Sequence, residues 1–539
     1  MATSLGCQIA RRIGVVAVAA NFTLCLQIRL TETFLGSFSP AHFHRFSTMN
    51  LLFLAVIAFL PSPVTLLDLD YGKCVIWGPG LGESSLPVKY FFVQLVNKAG
   101  ENITDSHNVS LDVQLKGENC RNQLEQLNAG DGSIIVRYRI QKECRSASIH
   151  IKYHDHHLGE SPYNLPGAIF PDACSCPLDM DEFLSVWQCP KDHPQIEEDL
   201  FKFAGINFTH VQRKMLDHFA QANPGTLAMC QYVIKSGKVF RRCFGIAGFS
   251  MFMDAILLSV LRKVKLPDME MFVNLGDWPM SRKGGRSRTT GPWPIFSWCG
   301  SSDSHDIVMP TYDITESTLE AMRRVSLDIL SVQKAEKPWS EKMPRGFFRG
   351  RDASRERLLL TDLSRQHPDL LDSAITNYFF FRDAEEKYGK SQRVPFFRFF
   401  HHKYQVSMDG TVAAYRLPYL LAGDSVVLKQ ESPFYEHFYG SLKPMVHYIP
   451  FRRDLSDLIS KLQWAKAHDA EARKIAQNAR AFVRENLLPA HIFCYHVLLF
   501  RRWSELTTAH VVSVTPEMES VHQESPECSC DRKSPRDEL

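Results

Sequence analysis

The chain has 539 residues, a formal net charge of +3 and a hydrophobic content of 45%. So even a charge balance leaves no basic footprint for nucleic acid, and the apolar content is ample for two or three domain cores. Fourteen cysteines fit an oxidising compartment.

Met49 stands just ahead of the run Leu51–Leu60, LLFLAVIAFL, which Pro61 closes. That run is long enough for a signal-peptide core and too short to cross a bilayer. Residues 1–48 are therefore expected to be an upstream extension and residues 49–67 a signal peptide. No later apolar run reaches spanning length, so no membrane span is expected. The last four residues, Arg536, Asp537, Glu538 and Leu539, differ from Lys-Asp-Glu-Leu only at the first. Such a tetrapeptide is an address read by a retrieval receptor. Entry signal and address together predict residence in the lumen of the endoplasmic reticulum. N-glycosylation sequons at Asn102, Asn108 and Asn207 are usable there and are expected on the surface.

Residues 68–170 read as all-β. The segments Tyr90–Val96, Ser133–Arg139 and Ser148–Tyr153 are rich in β-branched and aromatic residues, and Gly- and Asn-containing turns separate them. They predict an immunoglobulin-like sandwich. Cys174, Cys176 and Cys189, set among Pro171, Pro177 and Pro190, form a hinge. From residue 171 to 505 the pattern becomes α/β: strand-like runs at Met271–Leu275 and Ser425–Leu428 alternate with helical patterns at Phe252–Val264 and across Leu455, Leu458, Ile459, Leu462 and Ala465. Length and alternation suit two doubly wound halves. Residues 506–539 are polar and predict a flexible tail.

Ser236-Gly237 lies between two strand-like segments. A two-residue hairpin there pairs Lys235 with Lys238, and counting back sets Cys230 opposite Cys243. Opposed positions of an antiparallel pair lie within disulfide reach. The alternative is another register with two free thiols.

Four segments can carry chemistry. Met269–Pro279 reads as a buried strand running into a turn that exposes Asp277, ionised at neutral pH and able to accept a proton from an attacking alcohol; an ordinary turn capped by Asp277 is the plainer reading. Gly346–Arg357 reads as strand, Gly turn and helix start, with arginines at the turn and in the first helical turn able to grip a diphosphate, or as a solvated, charge-alternating helix start. Asp409–Tyr419 places Gly410, Thr411, Val412, Ala413, Ala414 and Tyr415 at a tight turn opening a helix, with Arg416 in its first turns; a well-packed helix N-terminus is the plainer reading of this motif alone. Asp424–Tyr439 reads as a buried strand, a polar turn and an aromatic helix, with Glu436 or its competitor Glu431 placed to accept from ribose hydroxyls.

Two resemblances attach to these residues. Asp131-Gly132-Ser133, Val136-Arg137-Tyr138, Ile151-Lys152-Tyr153 and His157–Tyr163 resemble the end of a filamin-type repeat. The four candidate segments, together with Phe296–Gly300, His305-Asp306-Ile307 and Val446–Pro450, resemble the protein O-glucosyltransferases of the Rumi type, related to fungal capsule-associated proteins. The best match is to the branch with a filamin-like domain and a retrieval signal, the KDEL motif-containing proteins. The resemblance implies a GT-B-type glycosyltransferase with two Rossmann-like domains. It implies transfer of glucose, with xylose as the alternative, from a UDP-sugar to serine of folded EGF-like repeats in secreted or Notch-type membrane proteins. The reaction would be inverting and need no metal or other cofactor. Asp277 matches the family's catalytic aspartate. Arg351, Arg357 and the stretch Gly410–Arg416 match donor-binding positions, with Arg351 standing where the founding branch carries Ser. Glu436 is assigned by analogy of fold, and Cys176 is paired with Cys494.

Two other readings compete. Asp68-Leu69-Asp70, Asp179-Met180-Asp181 and His154-Asp155-His156-His157 have residue types that hold metals, but all lie outside the four segments, and the His run sits where a hairpin turn is needed. The basic loop Arg282–Arg288 reads as solvated. A non-catalytic lumenal binding module or chaperone built on the sandwich is the rival function; such a binder has no need of the Asp, Arg and Gly-Thr set.

Overall fold

The computed structural model describes residues 68–82, 85–104, 109–283, 292–524, 526, 528 and 530. The signal and retrieval segments, the Asn108 sequon and most of the basic loop lie outside these residues.

The sandwich has one sheet ordered Val75–Trp77, Lys89–Gln94, Ser133–Ile140, Asn122–Asn128, antiparallel throughout. The other is built on Cys144–Tyr153, which pairs with Asp112–Glu118 and with short returns at His156–His157, Tyr163–Asn164 and Ala168–Ile169. The His run is a turn, with positive φ at His154 and Asp155. All eight residues of Ser133–Ile140 are buried, so both faces of this strand are covered. Ile134, Val136, Tyr138 and Ile140 fill the sandwich. The alternate residues meet the α/β region: Arg137 pairs with Asp328 at 2.7 Å, and Arg139 donates to the carbonyl of Ala321 at 3.0 Å. The sandwich is thus docked through a strand face, and Ile135 shares one core with Phe482 and Trp503.

The first α/β half carries a six-stranded mixed sheet, ordered Ile307–Val308, Ile295–Ser297, Met269–Asn274, Ala228–Lys235, Lys238–Gly245, Glu519–Val521. Its first three strands are parallel and the rest antiparallel. Doubly wound halves imply parallel sheets; here the Ser236-Gly237 hairpin, read from the sequence, makes part of the sheet antiparallel. Cys230 and Cys243 are partners in that hairpin and are joined by a disulfide.

The second half is fully parallel, ordered Leu371–Asn377, Met343–Arg351, His402–Ser407, Val426–Gln430, Ile449–Phe451. Numbered along the chain, that order is 2-1-3-4-5, which reverses between Met343–Arg351 and His402–Ser407. Adjacent apolar pairs point to opposite faces. Phe348 and Leu428 pack with Leu458, Leu462 and Ile475, while Phe347 and Val427 face the main core; burial on both faces is what parallel strands require.

The halves are stitched together twice. The helix Pro489–Leu506 returns from the second half to the first, where Trp503 Nε1 donates to the carbonyl of Glu270 at 2.8 Å. Gly300–Ser301 pairs antiparallel with Phe434–Tyr435. A Cβ on Gly300 would sit 2.5 Å from the Tyr435 ring, so only glycine lets this ladder close. Phe434–Tyr435 is therefore strand, not the start of the expected aromatic helix.

Two further expectations are corrected. Cys176 joins Cys530, and Cys494 joins Cys189; the proposed Cys176–Cys494 bond does not form. The segment after residue 505 is not a free tail up to Cys530. Glu519–Val521 extends the first sheet, His510 Nε2 lies 2.9 Å from Glu270, and Cys528 and Cys530 are bonded to Cys174 and Cys176.

Candidate active site

Asp277 stands just beyond the carboxyl end of Met269–Asn274, where parallel α/β sheets present ligand-binding groups. The turn that carries it is held from both sides. Asn274 accepts from the Gly276 N–H at 2.9 Å and donates to the Trp278 carbonyl at 2.7 Å. Asp306, fully buried, accepts from the N–H groups of Met280 and Ser281 at 2.9 and 2.8 Å and from the Ser297 hydroxyl at 2.6 Å. Ser297 in turn accepts from Asn274 at 3.2 Å. One network across three adjacent strands thus fixes Asp277, whose own Oδ1 is buried without a hydrogen-bond partner. Burial pushes the Asp277 carboxyl above the ordinary range, and the Arg351 charge opposes that shift.

Across from Asp277 lies the reversal point of the second sheet, the place where open α/β sheets hold ligands. Arg351 ends one strand there. Its guanidinium has no hydrogen-bond or ion-pair partner among the described residues. Arg357, in the first turn of the helix Arg355–Gln366, is 5% exposed and committed. It donates to the carbonyls of Asp409, Arg351 and Met408 at 2.8, 3.1 and 3.1 Å. Arg416 donates to the Arg349 carbonyl at 2.6 Å. Burial and mutual repulsion bring Arg357 down to about 9, and burial brings Arg416 down to about 10. Both remain cationic at neutral pH.

Asp277, Arg351, Arg357 and every residue of Gly410–Arg416 line one cavity of about 520 Å³. The helix after them is only Leu417–Ala422, and Arg416 is its N-cap residue, not part of its first turns. Glu436 is not among the lining residues. It is fully buried, its carboxylate oxygens lack a hydrogen bond of good geometry, and burial raises it well above the ordinary range. The cavity also takes in Tyr312, Asp313, Thr376, Phe380 and Arg393, which the sequence reading missed. Asp313, pushed up to about 6 by burial and by Glu316 and Asp277, follows a strand of two residues, too short for any periodic signal. Phe380 is held by Asp352, whose carboxylate accepts from the N–H groups of Phe379, Phe380 and Phe381.

Three features lie apart from this cavity. Asp179 and Asp181 pair with Lys265 and Arg501, and Asp68 with Lys98. Among the described residues no group of three or more His, Cys, Asp or Glu side chains is placed to hold a metal ion. Asn102 and Asn207 are exposed, and Asn207 accepts from the His210 N–H as a helix cap.

A strand-end carboxylate without a partner, facing a cluster of arginines across a cleft between two α/β halves, suits transfer of an activated sugar. Residues 185–538 match the model of glycosyl transferase family 90, and residues 68–164 match the filamin/ABP280 repeat. The chain belongs to glycosyl transferase family 90. Protein O-glucosyltransferase 2 of Danio rerio is 45% identical over 482 residues, covering 87% of this chain and 94% of its own. Protein O-glucosyltransferase 3 of Homo sapiens is 42% identical over 501 residues, covering 90% and 97%. Protein O-glucosyltransferase 1 of Homo sapiens is 30% identical over 362 residues, covering 64% and 87%. In this glycosyltransferase the family match begins close to the Cys174–Cys176 hinge and contains every residue lining the cavity.

Proposed function

We propose that this chain is a protein O-glucosyltransferase of the endoplasmic reticulum lumen. It moves glucose, with xylose as the alternative, from a UDP-sugar to serine of a folded EGF-like repeat, such as those of Notch-type receptors. The observation that carries this reading is the half-buried Asp277 carboxylate, its Oδ1 buried and without a hydrogen-bond partner, across the cavity from the uncommitted Arg351 guanidinium. The serine oxygen attacks the anomeric carbon from the face opposite the diphosphate. Asp277 takes the hydroxyl proton as the new C–O bond forms. The bond from carbon to the β-phosphate oxygen breaks, its electron pair leaves with UDP, and the configuration inverts. Arg351 and Arg416 bring positive charge to the departing diphosphate, the part that a divalent cation plays in other transferases, so the reaction runs without a metal. Five disulfides among the described residues and the exposed Asn102 and Asn207 support a lumenal setting, where acceptors are already disulfide-folded.

The test is UDP release from UDP-glucose and UDP-xylose with a panel of folded and reduced EGF-like repeats, with and without a chelator. Release that needs a folded repeat and survives chelation is expected. No release with any donor or repeat would leave the chain a lumenal binder.

A further inference from the structure

We propose that the seam between sandwich and catalytic domain is a binding site for a polyvalent oxyanion of the sulfate or phosphate class, gripped by Arg139 and Arg323.

The seam opens into a cavity of about 900 Å³, lined from the sandwich by Arg139, from the hinge by Asp172, and from the catalytic domain by Arg262 and Arg323. It is separate from the Asp277 cavity and shares no lining residue with it. Charge around it is unbalanced. Five cations, Arg139, Lys142, Arg145, Arg262 and Arg323, line it against three carboxylates, Glu118, Glu143 and Asp172, and two of the carboxylates are already committed: Glu143 to Arg145, and Asp172 to Lys263 and, at 3.3 Å, to Arg262. Arg139 is 6% exposed, its one hydrogen bond goes to the neutral Ala321 carbonyl at 3.0 Å, and it feels Asp172 and Glu320 only through space. Arg323 is exposed, and its guanidinium has no partner among the described residues. Behind them Lys89, 2% exposed, has only a 3.3 Å bond to the Leu86 carbonyl.

Buried cations without counter-charge are costly, and two guanidiniums converging on a polar cavity form the donor fork that oxyanions accept. Burial and the repulsion of Arg323 lower Arg139, and burial brings Lys89 down to about 8. Burial is the main cause of both shifts, and Asp172 opposes each. An anion here would bond at once to the sandwich strand and to the catalytic domain, and so strengthen their docking.

The test uses the full chain in chloride buffer with UDP filling the catalytic cleft, so that Arg351 is not titrated. Inorganic sulfate and inorganic phosphate are added and thermal unfolding and calorimetric binding are followed. Both ions should raise the unfolding temperature. Arg323→Gln, an exposed change that leaves the fold intact, should weaken binding on the order of tenfold or more, and Arg139→Gln should do the same if it folds. A parallel arm with glucose 6-sulfate separates the sources: tighter binding than inorganic sulfate assigns the site to a saccharide-borne group, equal binding to the free ion. No response to any of the three, or an undiminished response in Arg323→Gln, would overturn the proposal.

Discussion

Arg357 Nε donates to the carbonyl oxygen of Asp409 at 2.8 Å, which locks the loop after one strand to the helix after its neighbour. Arg351, six residues earlier, has no such commitment. Two arginines that look interchangeable in the sequence therefore do different work.

Arg351→Ala should leave thermal stability unchanged and weaken donor binding on the order of tenfold or more, the worth of one charge-assisted hydrogen bond. Arg357→Ala strands three carbonyls and should cost roughly 3 kcal/mol of stability. Thermal unfolding beside UDP titration of both variants checks the contrast. Equal effects on the two measurements would contradict it.

Asp306 touches neither cavity nor ligand, yet it holds two backbone N–H groups of the Asp277 turn. Asp306→Ala leaves those donors and the Ser297 hydroxyl unpaired in the interior. The expected outcome is a loss of about 2–4 kcal/mol in stability and a fall in kcat with donor KM little changed, read from steady-state kinetics and unfolding curves.

The pH dependence has a definite sign. As the proposed base, Asp277 works only when ionised, so activity should fall as pH drops through its folded pKa. That pKa is raised by burial and restrained by Arg351. The acid limb of kcat/KM should therefore lie above the ordinary aspartate value of about 3.9, and Arg351→Ala should move it higher still. A limb that moves down in that variant would contradict the assignment.

The hairpin at Ser236-Gly237 was legible because a two-residue turn and period-two alternation fix one register, and with it the Cys230–Cys243 bond. The strand end before Asp277 was legible from the apolar run Met271–Val273, and the one at Arg351 from the Phe347-Phe348 pair ahead of a glycine. What the residues did not show are contacts set by short or distant pieces. Phe434–Tyr435 is a strand of two residues whose partner lies in the other half, and Asp313 sits in the first turn of the helix Tyr312–Glu320, after a strand of only two residues. Local pattern carries no information on either. The C-terminal segment misled through its polarity. The matching spacing of Cys174 to Cys176 and Cys528 to Cys530 was the available signal, bridging 354 residues in each bond.

Those two bonds can be checked directly. Peptide mapping without reduction should recover the Cys174–Cys176 segment linked to the Cys528–Cys530 segment. Cys528→Ser with Cys530→Ser should lower stability by about 2–4 kcal/mol for each bond lost and free Glu519–Val521 to exchange its amide protons faster.

The central claim is that Asp277 is the proton acceptor in sugar transfer. The direct measurement is UDP release from UDP-glucose in the presence of a folded EGF-like repeat, comparing the parent chain with Asp277→Asn. The variant should fold and bind UDP normally and lose at least about a hundredfold in rate, the usual worth of a positioned base. Transfer at the parent rate by a folded Asp277→Asn protein would contradict the account.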